Sequence, residues 1–312
     1  MEDIICTHDL TKTYQGFRAV DNVSLRVKRG EIYGFLGLNG AGKTTTIRML
    51  LGMIRPTSGS CFINGQTVSA GNYHIWKQVG YMVETPYAYP ELSVRENLEI
   101  ASKLHQILDD SAISRVIERL GLTAYEYRKA KHLSMGNAQR LGIAKALLHQ
   151  PQVLLLDEPS NGLDPAGIVE IRELLQELTY NKETTIFISS HILGEISKIA
   201  TKIGIIHNGR LIQELGKKEL EQQRIVKLLI KTRNIKGAIK SLSLSGYAVR
   251  ENKKGLLETQ SKDAVSHPDK LVKALVKADH PPTMVLVEEE DLESYFLRVI
   301  DKKGDALHES NA

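Results

Sequence analysis

At 312 residues, with 42% hydrophobic and 25% charged side chains and only nine prolines, the chain has the composition of an ordinary globular protein of about two domains, which excludes disordered and collagen-like classes. No apolar run approaches the roughly 20 residues that cross a bilayer, and Met1-Glu2-Asp3 lacks the basic and apolar regions of a signal peptide, so a cytosolic protein is expected. The net charge of +4 conceals a split, since residues 216–280 carry 15 Lys and Arg against 7 Asp and Glu while residues 281–312 carry 3 against 8.

The basic lysines are dispersed, which reads as a solvated helical face, with acidic lipid headgroups or nucleic acid as the alternatives. Cys6 and Cys61 have neither metal-ligand nor Cys-X-X-Cys spacing and read as core thiols in a reducing compartment.

Alternating, β-branched segments from Ile4-Ile5-Cys6 to Val23-Ser24-Leu25-Arg26-Val27 predict an opening antiparallel sheet. A short buried strand, 32–36, then runs into a glycine loop, and a helix over 44–51 ends at Gly52. From Ser93 to Gly121, residues including Val94, Leu98, Ala101, Leu104, Ile107, Ile113, Val116 and Leu120 recur at helical spacing, predicting an all-helical insert. Short apolar runs at 153–156 and 185–190 read as buried parallel strands, and 203–206, a turn at Asn208-Gly209 and 210–212 as a closing hairpin. After about residue 216 the pattern becomes strand 224–232, helix 235–244, strands 247–250 and 256–260, helix 269–278, strand 284–288 and a last helix over 291–300. The order β-α-β-β-α-β is that of ferredoxin-like domains. The expected division is a nucleotide-binding domain over 1–215, with a helical subdomain over about 86–150, and an accessory domain over 216–312.

Three strings carry the chemistry. In Gly37-Leu38-Asn39-Gly40-Ala41-Gly42-Lys43-Thr44, glycines let backbone N–H groups converge on phosphates, Lys43 supplies a point charge to the β- and γ-phosphates, and the Thr44 hydroxyl is placed to ligate Mg²⁺. With Thr45, the residues Gly37, Asn39, Gly40, Gly42, Lys43 and Thr44 form the expected cradle for a nucleotide's phosphates. In Val153-Leu154-Leu155-Leu156-Asp157-Glu158-Pro159, Asp157 at a strand end suits the metal's coordination shell and Glu158 the polarisation of an attacking water. The third string is Leu133-Ser134-Met135-Gly136-Asn137-Ala138-Gln139-Arg140, just before helical periodicity at 141–148. It reads as an anion site at a helix N-terminus or, more plainly, as a serine N-cap.

Together these strings resemble the ATP-binding cassette (ABC) ATPases. The resemblance implies an α/β fold: a P-loop NTPase core with an antiparallel β subdomain and a helical insert, here followed by a small α+β domain of ferredoxin-like order. It implies that Ser134 and Gly136, with Gln139 beside them, reach the γ-phosphate of ATP held by a second subunit, either another copy or a paralogous ATPase. His191, after the strand at 185–190, is then expected to donate to the γ-phosphate, and Asn161-Gly162-Leu163-Asp164 resembles the loop that supplies Asp164. Tyr14 resembles the aromatic on which adenine stacks. A lone histidine after a strand and a tyrosine at a strand end are otherwise ordinary structural residues.

One position departs from the family. Where most members carry glutamine, this chain reads Met82-Val83-Glu84-Thr85-Pro86; an ionised glutamate only accepts hydrogen bonds, so Glu84's contacts to Mg²⁺, water or a membrane partner must differ from those of glutamine, unless the change is a neutral swap. Glutamate here resembles the bacitracin-resistance and lantibiotic-immunity exporter ATPases, as does the ending Asp291-Leu292-Glu293-Ser294-Tyr295-Phe296. The resemblance implies an ATPase at the cytoplasmic side of the plasma membrane, peripheral, using ATP and Mg²⁺ and driving separate polytopic transmembrane permease subunits. The rivals are a soluble cassette protein acting on ribosomes or DNA, disfavoured by a single cassette and no long heptad run, and a peptide-sensing module.

Overall fold

A computed structural model describes residues 2–69, 71–84, 86–180 and 184–309, and the chain divides into two compact units, Met1–Lys217 and Lys218–Ala312. In the first unit, β1 (Asp3–Tyr14), β2 (Phe17–Val23), β3 (Arg26–Lys28), β4 (Ile32–Leu36) and α1 (Lys43–Leu50) are followed by β5 (Ser58–Ile63), β6 (Gln66–Thr67) and β7 (Val79–Met82). Strands β1, β2, β3, β5 and β6 form the antiparallel sheet. The alternation predicted its first members, while β5 and β6 were not predicted: β5 reaches β1 only by long-range pairing such as Cys6 with Phe62, and β6 pairs with β5.

The insert holds α2 (Val94–Leu104), α3 (Ala112–Arg119) and α4 (Met135–Leu147). A capping box starts α2, with Ser93 accepting from the Glu96 N–H and the Glu96 carboxylate accepting in return. The apolar periodicity is less continuous than expected: α2 stops at Leu104, which is exposed. Helix α4 begins six residues before the predicted 141–148 segment, because Ser134 Oγ accepts from Asn137 N (3.2 Å) and caps it there.

Strands β8 (Val153–Asp157), β9 (Thr185–Ser190), β10 (Lys202–His207) and β11 (Arg210–Gly216), with α5 (Pro165–Tyr180) and α6 (Leu193–Ile199), complete the unit. The central sheet has the order β11-β10-β4-β9-β8-β7, parallel from β10 to β7. Strands β10 and β11 form the predicted hairpin, with Asn208 and Gly209 both at positive φ (48° and 77°), as a type I′ turn needs. Strands β4, β8 and β9 are buried along their whole length. Their core includes Tyr33 stacked on Phe187 (5.3 Å between ring centres) and Phe35 tilted against the same ring (5.2 Å).

The second unit begins within α7 (Lys217–Gln223) and continues as β12 (Val226–Thr232), α8 (Ile235–Leu244), β13 (Arg250–Glu251), β14 (Leu257–Thr259), α9 (Lys262–Ser266), α10 (Pro268–Lys277), β15 (Pro282–Glu289) and α11 (Leu292–Glu309). Its sheet runs β13-β14-β12-β15, antiparallel throughout, the split arrangement that the β-α-β-β-α-β order implies. A core of Leu228, Ile230 and Leu257 against Ala238, Leu242, Leu271 and Leu275 holds α8 and α10 on the sheet. The short α9 was not predicted, and β13 is two residues rather than four.

Candidate functional site

Register builds the site. Leu36 lies opposite Ser190, and Asp157 opposite Ser189, so the carboxyl ends of three adjacent parallel strands, β4, β9 and β8, finish in one row. Open α/β sheets bind ligands at such a row. From β4 the chain turns through the glycine loop, where Gly42 is forced by space and by dihedral: its φ is +107°, and a Cβ would lie 2.5 Å from Ala19 O. The amides of the first turn of α1 point back over this loop, the dipole arrangement that attracts phosphate.

Lys43 is 6% exposed, and its Nζ donates to Gly37 O (2.7 Å) and Leu38 O (3.2 Å) and lies 3.3 Å from Glu158 Oε1. The other Glu158 oxygen, Oε2, is 2.7 Å from His191 Nδ1 and accepts from His191 N (3.3 Å). An ionised carboxylate only accepts, so Nδ1 is the donor of this pair. Thr44 Oγ1 donates to Asp157 Oδ2 (2.7 Å), and Gln139 Nε2 to the Glu158 carbonyl (3.1 Å). Glu158 itself has φ +51°, a left-handed conformation that costs a non-glycine residue about 1–2 kcal/mol and persists where surrounding structure imposes it.

Among the sequence-predicted residues, Lys43, Thr44, Asp157, Glu158, His191 and Gln139 are therefore brought together with the glycine loop. Asn39 and Gly40 are exposed in that loop, and Thr45 is half-buried in α1. Tyr14 ends β1 with its ring 44% exposed and Lys12 Nζ 5.0 Å over it. Ser134 and Gly136 stand elsewhere, at the exposed start of α4. Asp164 Oδ1 accepts from Gly167 N (2.9 Å) at the start of α5. Glu84, at φ +57°, takes Arg48 as its partner, with Nη2 donating to Oε1 at 2.6 Å.

The sequence reading missed two residues. Ser189 Oγ donates to Asp157 Oδ1, and Glu158 N donates to Ser189 Oγ (3.2 Å), so one buried hydroxyl orients both acids. A serine inside an apolar strand was the available signal. Arg48 gave none, because its partner is 36 residues away.

Beside the Glu84 loop lies a cavity of about 430 Å³ lined by Arg48, Tyr81, Glu84, Tyr87, Lys145 and His149 among others. The His105 and His149 rings stack on its wall 3.9 Å apart. Burial, and next the neighbouring His105, lower the His149 pKa to about 4, against a hydrogen bond to Val79 O.

A phosphate loop with a buried lysine, closed by an acidic pair at the end of β8, with β9 between that strand and β4, defines a P-loop nucleotide triphosphatase. Residues 20–161 match the ABC transporter family. The chain is 41% identical over 304 residues to the bacitracin transport ATP-binding protein BcrA of Bacillus licheniformis, covering 96% of this chain and 98% of that one. It is 36% identical to the lantibiotic transport ATP-binding protein SrtF of Streptococcus pyogenes, over 69% of this chain and 93% of the other. A solved structure of the ATP-binding subunit of an ABC transporter superposes with a TM-score of 0.65 at 31% identity, covering 70% of this chain and 92% of that one. The chain belongs to the ABC transporter family as an ATP-binding, ATP-hydrolysing subunit. No helix among the described residues is long and apolar enough to cross a membrane.

Proposed function

We propose that this ATPase drives an exporter of antimicrobial peptides of the bacitracin or lantibiotic type, working at the cytoplasmic face of the plasma membrane with separate transmembrane permease subunits. The observation that carries this reading is the 41% identity to a bacitracin transport ATP-binding protein along nearly the whole of both chains, which includes the region after residue 217.

In the proposed cycle two cassettes, either two copies or this chain and a paralogue, meet head to tail. Each ATP lies on the Gly37, Asn39, Gly40 and Gly42 amides, Lys43, Thr44 and Thr45 of one subunit, with adenine against Tyr14. Ser134 and Gly136 of the other subunit close over the γ-phosphate, with Gln139 and Asp164 flanking the junction. The exposed position of Ser134 at a helix N-terminus supports this, because first-turn amides and the helix dipole attract an anion there. Lys43, held by two carbonyls, is ready to exchange them for phosphate oxygens.

Thr44 and Asp157 present a hydroxyl and a carboxylate, the hard oxygen donors that Mg²⁺ takes alongside water and phosphates. Bound there, the ion would neutralise charge on the β- and γ-phosphates. Glu158 orients and deprotonates the attacking water, while Lys43 and His191 fix its two oxygens. Any approach of Glu84 to the metal requires release from Arg48. The cavity beside Glu84 is the proposed seat of the permease.

The test is affinity purification of the Glu158→Gln variant from membranes with ATP and Mg²⁺. Recovery of a polytopic membrane protein, whose co-expression lowers cellular peptide accumulation, supports export. Recovery of ribosomes or DNA with no membrane protein refutes it.

A further inference from the structure

The two edges of the second unit's sheet are built differently. At one end β13 is two residues long, both charged, Arg250 and Glu251, which is how proteins blunt an edge strand. At the other end β15 runs for eight residues and pairs only with β12 among the described residues. It carries no charge from Pro282 to Val287. Met284, Val285, Leu286 and Val287 are 37%, 37%, 47% and 42% exposed. Val285 and Val287 lie opposite Ile230 and Leu228, on the face that packs the unit's core, and are still open to solvent. A long apolar edge with a free ladder is a template for another strand.

We propose that β15 pairs antiparallel with β15 of a second copy of this chain, joining two four-stranded sheets into one of eight. The strand's own pattern selects this occupant. A two-fold axis normal to the sheet maps each face onto itself, so directly opposed residues, which must share a face, are separated by an even number of positions. The register centred on Val285 sets Val285 against Val285, Met284 against Leu286 and Thr283 against Val287, which are apolar or β-branched pairs throughout. Charge selects the direction. Glu288 and Glu289 lie at one end only, so an antiparallel mate puts them beside Pro282 and Pro281, whereas a parallel mate stacks four carboxylates. This contact is separate from the head-to-tail cassette dimer and does not depend on nucleotide.

The experiment uses the full chain without ATP. Val285→Cys and, as a control on an exposed turn of the same unit, Lys254→Cys are mildly oxidised and resolved on non-reducing gels. The wild type reports any linkage through Cys6 or Cys61. Residues opposed across a strand pair sit within disulfide reach, so Val285→Cys is expected to form covalent dimers about tenfold faster than Lys254→Cys. Leu286→Lys in the same background should return the rate to that of the control. Sedimentation of the wild type should rise with concentration and that of Leu286→Lys should not. Crosslinking at the control rate, or crosslinking indifferent to Leu286→Lys, overturns the proposal. So does protection of the thiol in Val285→Cys only on adding membranes, with no dimer, because the strand's occupant would then be another protein.

Discussion

Replacing Glu158 by glutamine keeps the shape of the side chain and removes its charge, so it isolates what the carboxylate does. In the structure the charge lies 3.3 Å from Lys43 Nζ and 2.7 Å from His191 Nδ1. At 3.3 Å the gross attraction to Lys43 is about 5 kcal/mol for an effective dielectric near 20. Most of that is offset by desolvation, because Lys43 is 6% and Glu158 17% exposed. Lys43 keeps two carbonyl acceptors in the variant, so the expected net cost is about 1–2 kcal/mol, a fall in melting temperature of roughly 2–8 °C without nucleotide.

ATP should reverse most of that loss, since its phosphates replace the missing carboxylate and binding adds stability by mass action. Hydrolysis is a different matter. A glutamine accepts no proton from water, and the expected fall in kcat is about 10²–10³-fold, or about 2.7–4 kcal/mol in the transition state, with ATP affinity unchanged. Single-turnover hydrolysis and nucleotide titration on the same preparation measure both. A kcat within about tenfold of the parent refutes the assignment of Glu158 to the attacking water. A large loss of ATP affinity with kcat retained shows instead a binding role.

Three further outcomes are expected. Asp157→Asn should weaken ATP binding about tenfold in Mg²⁺ and leave it unchanged in EDTA, because Asp157 is assigned to the ion and not to the nucleotide; equal losses in both conditions refute that assignment. Gly80→Ala places a Cβ 2.1 Å from Ala146 O and 2.8 Å from Pro151 Cγ, against backbone that has nowhere to move, so chemical unfolding should show a loss of about 2–4 kcal/mol. For His149, whose folded pKa of about 4 lies below the usual 6.5, the unfolded chain binds the extra proton between those values. Its contribution is therefore intact above about pH 6.5 and lost as pH falls toward 4, about 1–2 kcal/mol after discounting for partial exposure. His149→Gln should flatten that part of the stability–pH curve; an unchanged slope removes His149 as its source.

The nucleotide loop, the acidic strand end and the run from Leu133 to Arg140 were legible in the sequence because each is a contiguous string whose chemistry depends on its own backbone: glycines that free N–H groups, a strand that ends in carboxylates, a serine that starts a helix. The central strands and most helices were legible for the same reason, since burial imposes a period on neighbouring residues. Even so, Ser134's own cap moved the start of α4 upstream, and the apolar run broke at Leu104, where α2 ends with that side chain exposed. What the chain could not announce was pairing across distance. That Ser189 holds Asp157 and Glu158 depends on β8 and β9 lying side by side in register, although Ser189 and Asp157 are 32 positions apart. That Arg48 claims Glu84 depends on a helix and a loop meeting. The strands β5 and β6, the stacked His105 and His149, and the open edge of β15 are likewise products of which elements become neighbours. Sequence determined the local chemistry of this ATPase, because short-range sterics and hydrogen bonding act within a few residues; tertiary structure alone decided which of those groups face one another, because only the burial of the shared core brings distant segments into contact.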